Sequence, residues 1–150
     1  ADWLGHWKGE LNWYQGANKE PKKVPMQLII QPTDSSHRFS WRLTYGADAA
    51  DNRPYTLIAM DSTKGHWQID ENNGIILDQY WVAGKLSGAF TVQSSTIINN
   101  YWLENGQLHV EFYNISVKPV AVTGLGTNES PSVSSYQVKS YQKAILSRSK

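Results

Sequence analysis

The sequence predicts an all-β fold, an antiparallel up-and-down barrel of about eight to ten strands. Three observations carry that expectation. Apolar side chains recur at every second position in segment after segment, Asn-Gly and similar turn dipeptides separate the segments, and no stretch of ten or more residues carries a helical period. The 150 residues suit one domain spanning residues 1–150, long enough to bury a core without disulfides or a structural metal.

The strands follow in order. Trp7, Leu11 and Trp13 alternate with Lys8, Glu10 and Asn12, with Gly9 on the apolar side. A second strand is expected over residues 24–31. The cleanest alternation is Phe39, Trp41, Leu43 and Tyr45 against Arg38, Ser40, Arg42 and Thr44. Residues 55–61, 66–70 and 75–82 read as less regular strands. Leu86, Gly88, Phe90 and Val92 alternate with Lys85, Ser87, Ala89 and Thr91; a strand over 96–103 follows, and then Leu108, Val110 and Phe112 alternate with His109, Glu111 and Tyr113. Residues 136–146 form the last candidate.

Asn73-Gly74 and Asn105-Gly106 are hairpin signals, because both residues tolerate positive φ, and Lys64-Gly65 and Ala83-Gly84 suit two more tight turns. Residues 15–23, 46–54 and 117–135 remain as longer connections, and Trp3-Leu4 reads as a short plug or turn. A meander of this kind closes into a barrel and so removes its exposed edges, although an open sandwich of the same strands is the competing architecture.

Composition narrows the function classes. A net charge of +1, with 14 scattered Lys and Arg, offers no basic stripe for nucleic acid. Lys19, Lys22 and Lys23 cluster beside Glu20 and Pro21 as a solvated loop. Absence of cysteine excludes thiolate chemistry and zinc–thiolate sites. No apolar run reaches the ~18 residues of a membrane helix. The chain opens Ala1-Asp2-Trp3 without Met, which fits removal of a leader and export to a periplasm or the exterior, or a start trimmed in some other way.

The four histidines, His6, His37, His66 and His109, fall on separate strands or turns without metal-ligand spacing. His109 beside Glu111 reads as a solvated strand pair. Asp78 alternates onto the outer face with Ile76 and Tyr80. The stretch Asp70-Glu71-Asn72-Asn73-Gly74 places its Gly wrongly for a calcium loop, and Gly124-Leu125-Gly126 lacks the context of a nucleotide-binding turn. No catalytic residue, metal site or cofactor is expected from these patterns.

Seven Trp, eight Tyr and three Phe make 12% of the chain aromatic. Trp7, Trp13, Phe39, Trp41, Tyr45, Phe90 and Phe112 alternate inward, either as core or as the lining of a cavity. Gln79, Asn99 and Asn114 interrupt inner faces and must find hydrogen-bond partners there. The expected ligand lining is therefore Trp13, Met26, Leu28, Trp41, Leu43, Leu57, Trp67, Phe90, Tyr101 and Phe112, with Gln79 and Asn99 as orienting amides.

Gly5-His6-Trp7 on the first strand resembles the Gly-x-Trp signature of the calycin superfamily, which includes lipocalins and fatty-acid-binding proteins. The resemblance implies an up-and-down barrel whose Trp closes the base and whose interior holds a small hydrophobic or amphipathic molecule. Lipocalins also pack a late Arg on that Trp, and Lys139 and Arg148 are the late cations available. Their Thr-Asp-Tyr-like triplet and C-terminal helix are missing. Fatty-acid-binding proteins use Arg-x-Tyr on the last strand to hold a carboxylate; Lys139-Ser140-Tyr141 stands in that place, on a face that alternation alone leaves undecided. Nitrobindin-like barrels bind heme through a late His, and none follows His109. Two other readings stand beside non-catalytic binding: a barrel isomerase or lyase acting on such a ligand, and an interaction module using Arg38, Arg42, Ile76 and Tyr80 on the outer wall.

Overall fold

The computed structural model describes residues 2–46 and 51–149. Among these residues there are twelve strands and no helix: β1 (Gly5–Gln15), β2 (Lys22–Pro32), β3 (Arg38–Tyr45), β4 (Asp51–Asp61), β5 (His66–Asp70), β6 (Ile76–Val82), β7 (Lys85–Val92), β8 (Ser95–Glu104), β9 (Gln107–Ser116), β10 (Ala121–Thr123), β11 (Val133–Ser135) and β12 (Val138–Arg148). β1 through β9 pair consecutively, and β12 lies between β9 and β1, closing a ten-stranded antiparallel barrel. The open sandwich is thereby excluded. β12 closes the ring in register on both sides, Ala144 opposing Leu11 on β1 and Val110 on β9.

Alternation places the core as expected. Trp7, Leu11, Met26, Leu28, Ile30, Trp41, Leu43, Leu57, Ile69, Leu86, Tyr101, Leu108, Val110, Ala144 and Leu146 are buried on the inner faces. The strands are longer than the apolar pattern suggested, because their ends continue pairing through polar residues. β4 begins at Asp51 and carries Pro54; over its first residues it pairs with β3 alone, since pairing with β5 starts at Thr56. An edge position of this kind tolerates the missing prolyl N–H. Residues 47–50 of the predicted 46–54 connection lie outside the described residues.

Two turns match their signals closely: Ala83-Gly84 and Asn105-Gly106 both have positive φ throughout. At 71–75 the positive φ values fall on Asn72 and Gly74, and Glu71 N–H donates to Ile75 O at 2.9 Å, so the turn is wider than an Asn73-Gly74 pair would make it. The β7–β8 hairpin turns at Gln93, with φ +54°, where no Gly or Asn announces it. The 117–135 connection is not a plain loop: β10 and β11 form a separate two-stranded ribbon outside the barrel.

The chain's first turn is fixed by three groups. Trp7 is 1% exposed, and its Nε1–H donates to Trp3 O at 2.9 Å. The Arg148 guanidinium lies 4.5 Å from the centre of the Trp7 ring and donates to Leu4 O and Asp2 O, each at 2.6 Å. Gly5 has φ +138°, and a Cβ there would stand 3.1 Å from Arg148 Nη1, so Gly5 makes room for the arginine. The Trp7–Arg148 contact is the one the calycin resemblance implied for a late cation. Trp3-Leu4 forms the turn expected of it.

Gly9 faces inward between Trp7 and Leu11, where β1 and β12 approach closely. A Cβ on it would lie 2.4 Å from Ile145 O and 2.8 Å from Leu146 Cδ2. Backbone cannot move aside as a side-chain tip can, so Gly9→Ala is expected to lower stability by about 1–3 kcal/mol, read as a fall in the urea midpoint at unchanged slope.

Candidate functional site

The barrel has two distinct ends. One carries the first turn (Trp3-Leu4), the end of β12 and the turns at 62–65, 83–84 and 105–106; the other carries the 71–75 turn and the ribbon. A cavity opens toward each. The cavity at the first-turn end measures about 460 Å³, and the one at the ribbon end about 90 Å³.

Trp41, fully buried on β3, belongs to the wall of both cavities. Its ring meets Tyr101 edge-on at 5.1 Å, and its Nε1–H finds no acceptor among the described residues. At a similar height on β6 and β8, Gln79 and Asn99 bond reciprocally. Asn99 Nδ2 donates to Gln79 Oε1 at 2.7 Å, and Gln79 Nε2 donates to Asn99 Oδ1 at 3.3 Å. Gly88 opposes Asn99 on β7, and a Cβ there would stand 2.3 Å from Gln79 Nε2, so the amide pair occupies space that any larger residue would fill. Each amide answers the other's desolvation, and the pair lies over Gly88 on the inner face of β6 to β8 as a self-satisfied polar bridge.

The larger cavity is walled by Trp3, Leu4, Ile30, Phe39, Trp41, Leu57, Ala59, Trp67, Trp81 and Leu86, with Ser62, Gly65 and His66 at its rim. Phe39 and Trp67 stack at 6.4 Å, and Trp3 meets Trp81 edge-on at 5.7 Å. Trp81 is 45% exposed although it alternates inward with Leu77 and Gln79, because it stands where β6 reaches the mouth. His66 is directed to the outer surface: its Nε2 lies 2.7 Å from Asp78 Oδ1, and its ring stacks on Tyr80 at 4.9 Å. Hydrogen bonds from His66 and then Gln68 hold the Asp78 carboxyl below its ordinary range, against a smaller opposing effect of burial.

The smaller cavity is more polar, with Tyr45, Arg53, Tyr55, Glu71, Asn99 and Tyr101 in its wall beside Leu43, Ile69, Leu77, Phe90 and Phe112. Burial, and secondarily the neighbouring Tyr45, Tyr55 and Glu71, pushes the Tyr101 phenol well up, so it stays protonated.

Of the residues expected to line a ligand site, the structure gathers Trp41, Leu57 and Trp67 at the larger cavity. Trp41, Leu43, Phe90, Asn99, Tyr101 and Phe112 stand at the smaller one. Met26 and Leu28 are packed in the core, and they line neither cavity. Trp13 also lines neither; its ring sits 5.7 Å from Lys22 Nζ at the ribbon end. Gln79 is committed to Asn99, and Asn114 Oδ1 is buried without a partner among the described residues. Trp3, Leu4, Ile30, Phe39, Ala59, Trp81 and Leu86 were not in the expected lining. For Phe39 and Trp81 the inward alternation was a usable signal; for Trp3 and Leu4 no periodicity could supply one.

Tyr141 faces outward, whereas Lys139 sits in the β12 bulge opposite Asn114 at the ribbon end. Lys139 Nζ donates to Ser95 Oγ at 3.0 Å, and Tyr141 OH donates to Glu111 Oε2 at 2.9 Å. Tyr141 is thus on the outer face, and the Lys139 ammonium is held at the ribbon end by a serine of the inner-facing row, away from the larger cavity. His109 is also on the outer wall but is not a solvated partner of Glu111. It is 9% exposed, stacked on Trp102 at 5.2 Å, with Nδ1 accepting from Lys143 Nζ at 3.0 Å. Arg38 and Arg42 on β3 are separated from Ile76 and Tyr80 on β6 by two strands. Among the described residues no three His, Asp or Glu side chains converge as metal ligands, and no helix is long and apolar enough to cross a membrane.

No protein-family model matches the sequence, and no curated protein matches it. Among solved structures the barrel is similar to a protein of unknown function of the DUF3598 family from Nostoc punctiforme, with a TM-score of 0.64 at 13% identity. The alignment covers 99% of this chain and 48% of that one, so the chain spans about half the length of its neighbour. The likeness is one of fold.

Two outcomes test this arrangement. Asn99→Leu leaves the Gln79 amide buried alone and is expected to cost about 1–3 kcal/mol; in a double-mutant cycle, adding Gln79→Leu costs far less than the sum of the single changes. Burial first, and then the Lys143 ammonium, lowers the His109 pKa from its ordinary 6.5. Neutral His109 therefore contributes stability that is complete above pH 6.5 and is lost as pH falls through the folded-state value. Urea midpoints measured from about pH 7.5 down to about pH 5 should decline for the native chain and decline less for His109→Gln.

Proposed function

We propose that this chain is a calycin-like barrel that binds a small hydrophobic molecule without transforming it, in the cavity at the end of the barrel where the chain begins. The observation that carries the reading is the cavity itself: about 460 Å³, walled by four indoles and a phenyl ring. Ligand sites have this size and this largely apolar character. The calycin assignment is supported by Gly5-x-Trp7 with Arg148 stacked on the Trp. In calycins the Trp implies a closed base; here the roomier cavity lies beside that Trp, roofed by Trp3 and Leu4. The ribbon-end cavity, at about 90 Å³, has room for little more than ordered water.

The barrel-enzyme alternative requires a titratable group turned toward the bound molecule. Among the described residues the larger cavity has one such side chain in its wall, His66, and it is bonded to Asp78 on the outside.

Indole emission reports on the site because Trp3, Trp41, Trp67 and Trp81 surround it. Titration with retinol and a panel of similar apolar molecules should quench or shift this emission with saturation. Ala59→Trp, which fills the cavity from β4, should weaken binding at least about tenfold, a loss typical of filling an apolar site, while circular dichroism stays that of a β-barrel. A flat response across the panel would reject the binding reading.

A further inference from the structure

We infer that the larger cavity selects uncharged molecules and rejects their anionic counterparts. The inference deepens the binding reading above and rests on it. An organic anion taken into an apolar barrel needs a cation to meet it, because an unpaired buried charge is far more costly than a buried neutral group. Arg148, Arg53 and Lys139 do not present a cation to this cavity.

Arg148 stands at the correct end of the barrel, but its guanidinium lies over Trp7 and donates to the carbonyls of Leu4 and Asp2. These two bonds hold the turn that roofs the cavity, so recruiting the arginine would undo the cavity wall. Arg53 lies in the wall of the other cavity, beyond Trp41. Lys139, at the place of a carboxylate-binding cation, stands at the ribbon end and donates to Ser94 O and Ser95 Oγ, away from this cavity.

The rim adds a second bias. His66 is the titratable side chain there, and its Nε2 is tied at 2.7 Å to Asp78 Oδ1, so any positive charge it carries is already met by a carboxylate. Lys64 belongs to the 62–65 turn but is exposed, and an anionic head resting against it would remain in water with only its apolar part inside. Gln79 and Asn99 bond to each other and offer an anion nothing, and the one buried indole N–H of the wall without an acceptor among the described residues, that of Trp41, is a neutral donor that cannot balance a full negative charge. An apolar molecule without charge meets none of these obstacles.

The test uses two fluorescent probes of one skeleton, N-phenylnaphthylamine and its sulfonate, anilinonaphthalene sulfonate, which keeps its charge across the accessible pH range. Both are titrated into the native chain and into Ala59→Trp, with Leu86→Phe as a second filling variant should the first fail to fold. The neutral probe should bind at least about tenfold tighter than the sulfonate. Its binding should fall in the filled variant, whereas any residual sulfonate binding should not. Equal affinity for the two probes, both lost on filling the cavity, would overturn the charge selectivity and leave the binding reading standing. Sulfonate binding that is lost in Lys64→Ala would overturn it in the same way. Failure of the neutral probe to bind at all would overturn both readings together.

Discussion

The interaction on which everything else depends is the insertion of β12 between β9 and β1. Without it the meander β1–β9 would end in two open edges and its inner face would lie open to water. The pairing is in register over most of the strand's length, and the inner residues Ala144 and Leu146 are completely buried where it closes. Gly9 lets β1 and β12 approach closely, and the larger cavity is walled instead by residues of β2 to β7 beneath the first turn. Eight strands enclose an interior that side chains just fill, and ten enclose more. Hollow space is therefore a consequence of strand number, and its position a consequence of where small and large residues fall.

The same closing strand ends in Arg148, which links closure to the site. Its planar fork satisfies two main-chain carbonyls of the first turn while its face covers Trp7, a combination lysine cannot provide. The turn thus held places Trp3 and Leu4 over the mouth. The roof is thus the first turn held by the last strand, while the wall comes from β2 to β7.

Inside, polar and apolar demands are separated by height. The Gln79–Asn99 bridge satisfies itself and takes up the space above Gly88. On one side of it lies a nearly apolar chamber; on the other, tyrosines with Arg53 and Glu71 surround a small one. A molecule seated in the first meets apolar side chains, the indole of Trp41 and the rim.

Much of the fold was legible in the amino-acid pattern because strand alternation is a local property: each Cβ points away from its neighbour's, so Phe39, Trp41 and Leu43 declare a shared face without reference to any other strand. Turns with positive φ were legible at Ala83-Gly84 and Asn105-Gly106 for the same local reason, and illegible at Gln93, whose side chain carries no such preference. The Gly5-x-Trp7 signature pointed toward a barrel and to a late cation on the ring. The sequence by itself determined strands, turns, inner faces and the absence of thiol chemistry. Tertiary structure alone decided that β12 joins β9 to β1, that Arg148 and not Lys139 meets Trp7, that Gln79 and Asn99 bond each other, and that Met26 and Leu28 are core while Trp3 and Trp81 frame the mouth. The physical reason is that closure and hollowness depend on distances between residues far apart in the chain. Alternation tells which side of a wall a residue occupies and nothing about how far away the opposite wall stands.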